Sequence, residues 1–183
     1  MTATATRFTQ IPAGTWNVDP VHSTVEFQVR NMGIVTIKGF FEEFGGSFES
    51  DGEDVHVRGV ATAASINTRS EKRDQHLRAA DFFDVENHPE IRFESRNIER
   101  SEDAFTVTGD LTIKGITREV AFRATIEGFT PDPWGGERVG IEARGEVDRR
   151  DFGLNWDVKT PTGIPLASYN VKILIHVGAV RAG

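Results

Sequence analysis

The residues best equipped for chemistry lie between Arg73 and Phe93, in RDQHLRAADFFDVENHPEIRF, where Arg73, Asp74, His76, Arg78 and Asp81 crowd against Phe82 and Phe83. A histidine near carboxylates can act as a general base, and clustered cations can meet a phosphate or a quinone oxygen. A second histidine with an acidic neighbour occurs in NVDPVHSTV, where Asp19 could orient His22. Asp-Pro is also a common opening of a turn, with nearby side chains bonding its backbone, and the turn is the preferred reading there. Asp74 and Arg78, spaced i and i+4 with the acid first, suit a surface ion pair on a helix.

Other catalytic signals are absent. The chain has no GxSxG, HExxH, GxxxxGK[ST] or GxGxxG motif, so neither a catalytic residue set nor a cofactor is expected. Its five histidines, at 22, 56, 76, 88 and 176, stand singly, and no metal site is expected from them. His176, between Ile175 and Val177, reads as a packed or edge histidine. Without cysteine, thiol catalysis, disulfides and thiolate metal sites are excluded. With 21 basic against 28 acidic residues the formal charge is −7, which disfavours nucleic acid as a partner.

The elements that must position these groups are mostly strands. Val25, Phe27 and Val29 alternate with Glu26, Gln28 and Arg30, as in a half-buried antiparallel strand. Similar runs follow through Val35 to Phe48, Val55 to Ala61, Ile91 and Phe93, Phe105 to Ile113, Val120 to Ile126, Val139 to Val147 and Val171 to Val177. The cluster PDPWGG at residues 131 to 136 predicts a hairpin turn with Trp134 at its periphery, whereas Trp16 and Trp156 suit the closing of a barrel end. Gly39, Gly45 and Gly46 suit a bend or bulge. Residues Ser70 to Ala80 predict the exception, a short helix with Thr68 or Ser70 as its N-cap. Beyond it, adjacent Phe82 and Phe83 in extended chain would point to opposite sides, so one would face a cavity and the other would anchor the helix.

Many short strands, one helix and no βαβ rhythm predict an antiparallel all-β domain, either a sandwich or a closed barrel. Frequent glycine favours closure, and a barrel of about eight strands can enclose one small ligand. The 13 phenylalanines, against 1 tyrosine and 3 tryptophans, suit an oily interior. Residues 1–13, rich in Thr and Ala, are expected to form a loose arm ahead of a single domain over 14–183. The start of the chain has no apolar stretch behind a basic end, and no segment reaches the length of a spanning helix, so a cytoplasmic location without stable membrane insertion is expected.

Three blocks, NVDPVHSTVEFQVRNMGIVTIKGFF, RDQHLRAADFFDVENHPEIRF and GDLTIKGITREVAF, resemble the YceI-like family of bacterial polyisoprenoid-binding proteins from Trp16 to about Val180. The resemblance implies a single antiparallel lipocalin-like barrel with a short helix at its rim. It implies binding, sequestration or transport of a long isoprenoid lipid, a quinone tail or a polyprenyl phosphate, and no enzymatic activity. On that footing, Phe27, Val29, Phe82, Phe83, Phe93, Leu111, Ile113, Phe122 and Trp156 are expected to hold the tail, and Asn31, Arg73, His76 and Arg78 the head group. Many family members have histidine where this chain has Asn31, which can hydrogen-bond a head group but carries no charge. The alternatives are a small hydrolase or isomerase using His22 or His76 with Asp19, Asp74 or Asp81, and a stress-response interaction protein with a filled barrel. Exposed strand edges also allow a homodimer.

Overall fold

Alternation of apolar and polar residues governs nearly the whole chain, and the strands it produces form one continuous antiparallel sheet. The computed structural model describes residues 11–183. Its strands are β1 (Gly14–Val18), β2 (Thr24–Asn31), β3 (Val35–Phe41), β4 (Phe44–Ser50), β5 (Val55–Thr62), β6 (Ile66–Asn67), β7 (Glu90–Ser101), β8 (Ala104–Ile113), β9 (Ile116–Pro131), β10 (Glu137–Asp148) and β11 (Asn170–Arg181). Among the described residues a single α-helix, α1 (Glu71–Arg78), separates β6 from β7.

The sheet closes because β1 pairs with both β4 and β11. β1 and β2 lie end to end along β11, and they meet β4 and β3 respectively on the other side. β5 and β6 continue this pattern against β4 and β3, so the strands form a closed barrel of eight staves. The sandwich alternative is thereby removed. The β5–β6 stave stops short at Asn67, leaving the far edge of β3 before Phe40 without a strand partner, and α1 begins four residues later.

The two rims are built differently. At one, the hairpins around residues 50–55, 101–104 and 131–137 meet β1 and the end of β11. Trp16 is fully buried there, stacked on Phe48 with centroids 6.1 Å apart and edge-on to Phe129, beside Val139 and Ala179. Residues 1–10 of the expected loose arm lie outside the described residues. Residues 11–13 are held in place: Ser50 donates to the Ile11 carbonyl (2.7 Å), and the Trp16 indole donates to the Pro12 carbonyl (3.0 Å). The other rim gathers α1, the turns that follow it, the β2–β3 hairpin and the long segment between β10 and β11.

The helix forms as expected, with Ser70 as its cap, its hydroxyl accepting from the Arg73 amide at 3.3 Å. The expected Asp74–Arg78 ion pair is not made. Asp74 is buried and accepts from the Thr68 amide (3.0 Å) and hydroxyl (2.6 Å), binding the helix to the strand before it. Arg78 instead donates to the Ala64 carbonyl (2.9 Å) and pairs with Glu71. A buried backbone amide needs an acceptor more than a partly exposed arginine needs a carboxylate, which decides where Asp74 goes.

Candidate functional site

Inward-facing residues leave a cavity of about 490 Å³ along the barrel, from Ile11 and Phe48 at the plugged end to Arg73, His76 and Trp156 at the other. Phe27, Phe93, Ile98, Ile141, Ile173 and Ile175 point inward yet are only partly buried, because the surface they present is that of the cavity. The barrel is therefore not filled, and the filled-barrel alternative falls.

Glycines opposite aromatic rings create part of this shape. The Phe27 ring lies across Gly39 on the neighbouring strand, where an added Cβ would sit 2.1 Å from Cζ. Phe122 covers Gly145 in the same manner, at 2.7 Å from Cδ1. Gly39 thus serves close ring packing, where a bend or bulge is expected from the sequence.

All nine residues expected to hold a tail line the cavity: Phe27, Val29, Phe82, Phe83, Phe93, Leu111, Ile113, Phe122 and Trp156. Phe82 and Phe83 both do so, contrary to the expectation that only one would. They follow α1 in a turn whose amides bond back to Ala79 and Leu77, so the alternation of an extended chain does not apply. Phe83 meets Phe41 edge-on at 5.9 Å, and Phe82 meets Trp156 at 5.3 Å.

Of the four expected head-group residues, three line the cavity and one does not. Asn31 sits at the end of β2, its amide donating to the Leu166 carbonyl at 3.2 Å. Arg73 donates to the Thr68 hydroxyl (2.7 Å) and carbonyl (2.6 Å) and makes no ion pair among the described residues. His76, half exposed, contacts Phe82 and Trp156 edge-on, and its Nε2 lies 2.6 Å from Asp81 Oδ2. That hydrogen bond holds the Asp81 carboxyl below the usual carboxylate range. Arg73, His76 and Leu77 share one face of α1, at i, i+3 and i+4. Arg78 lies on the opposite side, spent on the Ala64 and Ile66 carbonyls and on Glu71, so its placement at the mouth is corrected.

The second histidine pair belongs to the plugged end. His22 Nδ1 lies 2.7 Å from Asp19 Oδ2, Asp19 also accepts from the Val21 amide, and neither residue lines the cavity. Asp19 further bonds Arg138, and the His22 and Arg138 contacts hold its pKa down to about 2. This is the structural turn preferred from the sequence.

Arg149 is the residue the sequence reading overlooked. It is buried at the end of β10, lines the cavity and donates to the carbonyls of Leu154, Ala167 (3.0 Å) and Ser168 (3.1 Å). Its guanidinium is 5.2 Å from the Tyr169 ring centroid, and burial lowers its pKa from the ordinary arginine value. One cationic side chain thus ties the start of the segment between β10 and β11, at Leu154, to its end, at Ala167 and Ser168. The signal existed: the inward period of Ile141, Ala143 and Val147 arrives at Arg149 two residues on. Among the described residues, no three His, Asp or Glu side chains converge as metal ligands, and no helix is long and apolar enough to cross a membrane.

A closed antiparallel barrel with one end plugged and an apolar cavity under a short helix defines the ligand-enclosing class of small β-barrels. The YceI-like domain profile matches residues 16–179, and the chain belongs to that family. It is 35% identical over 164 residues to a UPF0312 protein of Serratia proteamaculans, covering 88% of this chain and 82% of that protein. Protein YceI of Escherichia coli O157:H7 is 34% identical over 163 residues, with 87% and 82% covered. Among solved structures, BcnA of Burkholderia cenocepacia superposes with a TM-score of 0.77 at 22% identity, covering 88% of this chain and 98% of that one. A structure described as a polyisoprenoid binding domain from Saccharophagus degradans superposes with a TM-score of 0.71 at 13% identity, covering 91% and 98%.

Proposed function

We propose that the barrel binds a long-chain isoprenoid lipid, tail inside and head group at the α1 rim, and sequesters or carries it without altering it chemically. The observation that carries this reading is the long cavity of about 490 Å³, lined mostly by apolar side chains, with Arg73, His76 and Arg149 gathered where α1 and the segment after β10 meet. Membership of the YceI-like family and the polyisoprenoid binding described for the Saccharophagus structure support the same choice of ligand. Burial of about 0.8 kcal/mol per CH₂-sized group gives each five-carbon unit roughly 4 kcal/mol before ordering costs, so a few units suffice for tight binding.

Polar contacts then select the head group. Arg73, His76 and Asn31 offer donors to a quinone oxygen or a phosphate, and Arg149 adds a buried positive charge behind them. Native mass spectrometry of gently purified protein, followed by organic extraction, is expected to recover an isoprenoid in stoichiometric amount. A protein that is empty and takes up neither added quinones nor polyprenyl phosphates defeats this reading. Arg73→Gln is expected to lower the preference for phosphate over quinone while leaving tail binding intact.

A second reading, catalysis on an apolar substrate, draws on the His76–Asp81 pair at the cavity rim. It requires turnover with a pH profile that His76→Gln abolishes. Saturable binding without turnover across candidate lipids eliminates it.

A further inference from the structure

We propose that two hairpin tips beside the cavity rim form a docking surface for an anionic lipid bilayer, through which the barrel loads and unloads. The proposal rests on the reading that the cavity holds a lipid. Among the described residues, eight large apolar side chains are exposed, and five of them, Met32, Ile34, Val35, Val158 and Ile164, lie on these two tips. Exposed apolar residues scattered singly need no explanation, but a group of five at one place does.

The tips are physically joined. The Met32 amide donates to the Leu166 carbonyl at 3.0 Å, and Asn31 bridges to Ala167. Gly33 lies against Ile164, so that a Cβ there would meet its Cγ2 at 3.3 Å. The second tip is itself a tight loop, with the Leu166 amide bonded to the Val158 carbonyl and the Thr160 amide to the Ile164 carbonyl, both at 2.8 Å. Asn31, Leu166 and Ala167 also line the cavity, so the apolar surface is continuous with the interior.

Charge identifies the occupant. The chain carries 28 acidic residues, yet residues 27–41 and 158–169 contain none; their charges are Arg30, Lys38 and Lys159, the last of which meets Asp157 at 3.5 Å at the base of its loop. All three cations are exposed. Apolar side chains on turn tips, flanked by cations within a chain of charge −7, suit insertion among anionic head groups. A protein partner would more naturally meet a flat, packed patch.

The test compares the full chain with Ile34→Ser/Ile164→Ser, two positions outside the cavity lining. Sedimentation with phosphatidylcholine vesicles, with or without phosphatidylglycerol, measures docking. The rate of long-chain quinone uptake from those vesicles and from detergent micelles separates docking from cavity capacity. The wild type is expected to sediment with the anionic vesicles, and the double variant to lose docking and vesicle uptake by about tenfold or more, with uptake from micelles unchanged. Equal vesicle binding by both proteins, or none by the wild type, overturns the proposal. So does a wild-type dimer in sedimentation velocity that the double variant dissociates, since a second copy would then cover the tips. Failure of both proteins to load quinone from micelles defeats the reading of the cavity instead, while vesicle sedimentation still decides docking.

Discussion

The two ends of this barrel solve the same closure problem with different mixtures of apolar packing and hydrogen bonding. At the β1 end, Trp16, Phe48 and Val139 fill the bore with interlocked apolar side chains, and no ligand could enter without unpacking them. At the α1 end, closure is achieved by a helix of eight residues and by the segment after β10, which opens with a 3-10 turn (Arg149–Phe152); hydrogen bonds and ring contacts join them above the buried Phe82, Phe152 and Leu154. Apolar packing that fills the bore fixes one arrangement and resists opening, whereas the hydrogen bonds that add to the apolar contacts between short segments at the α1 end can be exchanged at modest cost. The difference separates a floor from a door.

Removing the floor is expected to have the largest effect. Trp16→Ala should cost about 3–5 kcal/mol of stability, the usual penalty for truncating a buried large aromatic. Urea unfolding measures it, and a loss below about 1 kcal/mol would show that the plug contributes little. Next in size is the pin of the door. Arg149→Met leaves the Leu154, Ala167 and Ser168 carbonyls without their donor, and is expected to cost about 2–3 kcal/mol. Hydrogen exchange should rise across residues 153–169 and stay unchanged around Trp16. Equal increases at both ends would contradict the independence of the two closures.

A smaller effect is expected on the wall between them. Gly39→Ala drives the Phe27 ring from the face of β3, at about 1–3 kcal/mol, and displaces it into the cavity. Isoprenoid capacity should fall, and a Phe27→Leu/Gly39→Ala double variant should recover much of the lost stability. Absence of any recovery would mean that the ring and the glycine are not coupled.

Much of this architecture was legible in the sequence because strands repeat every two residues, and Phe27, Phe93, Leu111 and Phe122 each sit in phase with the inward face. The helix and its Ser70 cap were legible for a similar local reason. The alternation could not say whether the staves enclosed space, since an inward phenylalanine reads the same in a filled bore as in an open one. Nor could it follow Phe82 and Phe83 through a turn, where the period lapses. Arg78 was misplaced because its partners, the Ala64 and Ile66 carbonyls, are backbone atoms that no residue type announces. Arg149 was missed although its period was correct, because an inward arginine makes sense only once three carbonyls are known to converge on it.

The finest distinction between the ends is electrostatic and is expected to appear only in acid. At the floor, Arg138 bonds both Asp19 and Asp132 at 3.0 Å, and Asp19 also faces His22. Asp19 has its pKa lowered from 3.8 to about 2, so its ionised form is favoured by folding. A depressed carboxylate pKa contributes stability that is present in full above 3.8 and disappears as pH falls through about 2. Asp19→Asn should therefore lower the melting temperature at neutral pH, and the gap to the wild type should close between pH 4 and 2, to about zero at the acid end. Asp81 at the door is also lowered, through His76, but it stands on an exposed rim where water screens the pair. The corresponding gap for Asp81→Asn is expected to be smaller throughout, and a gap as large as that for Asp19 would make the door as firmly anchored as the floor.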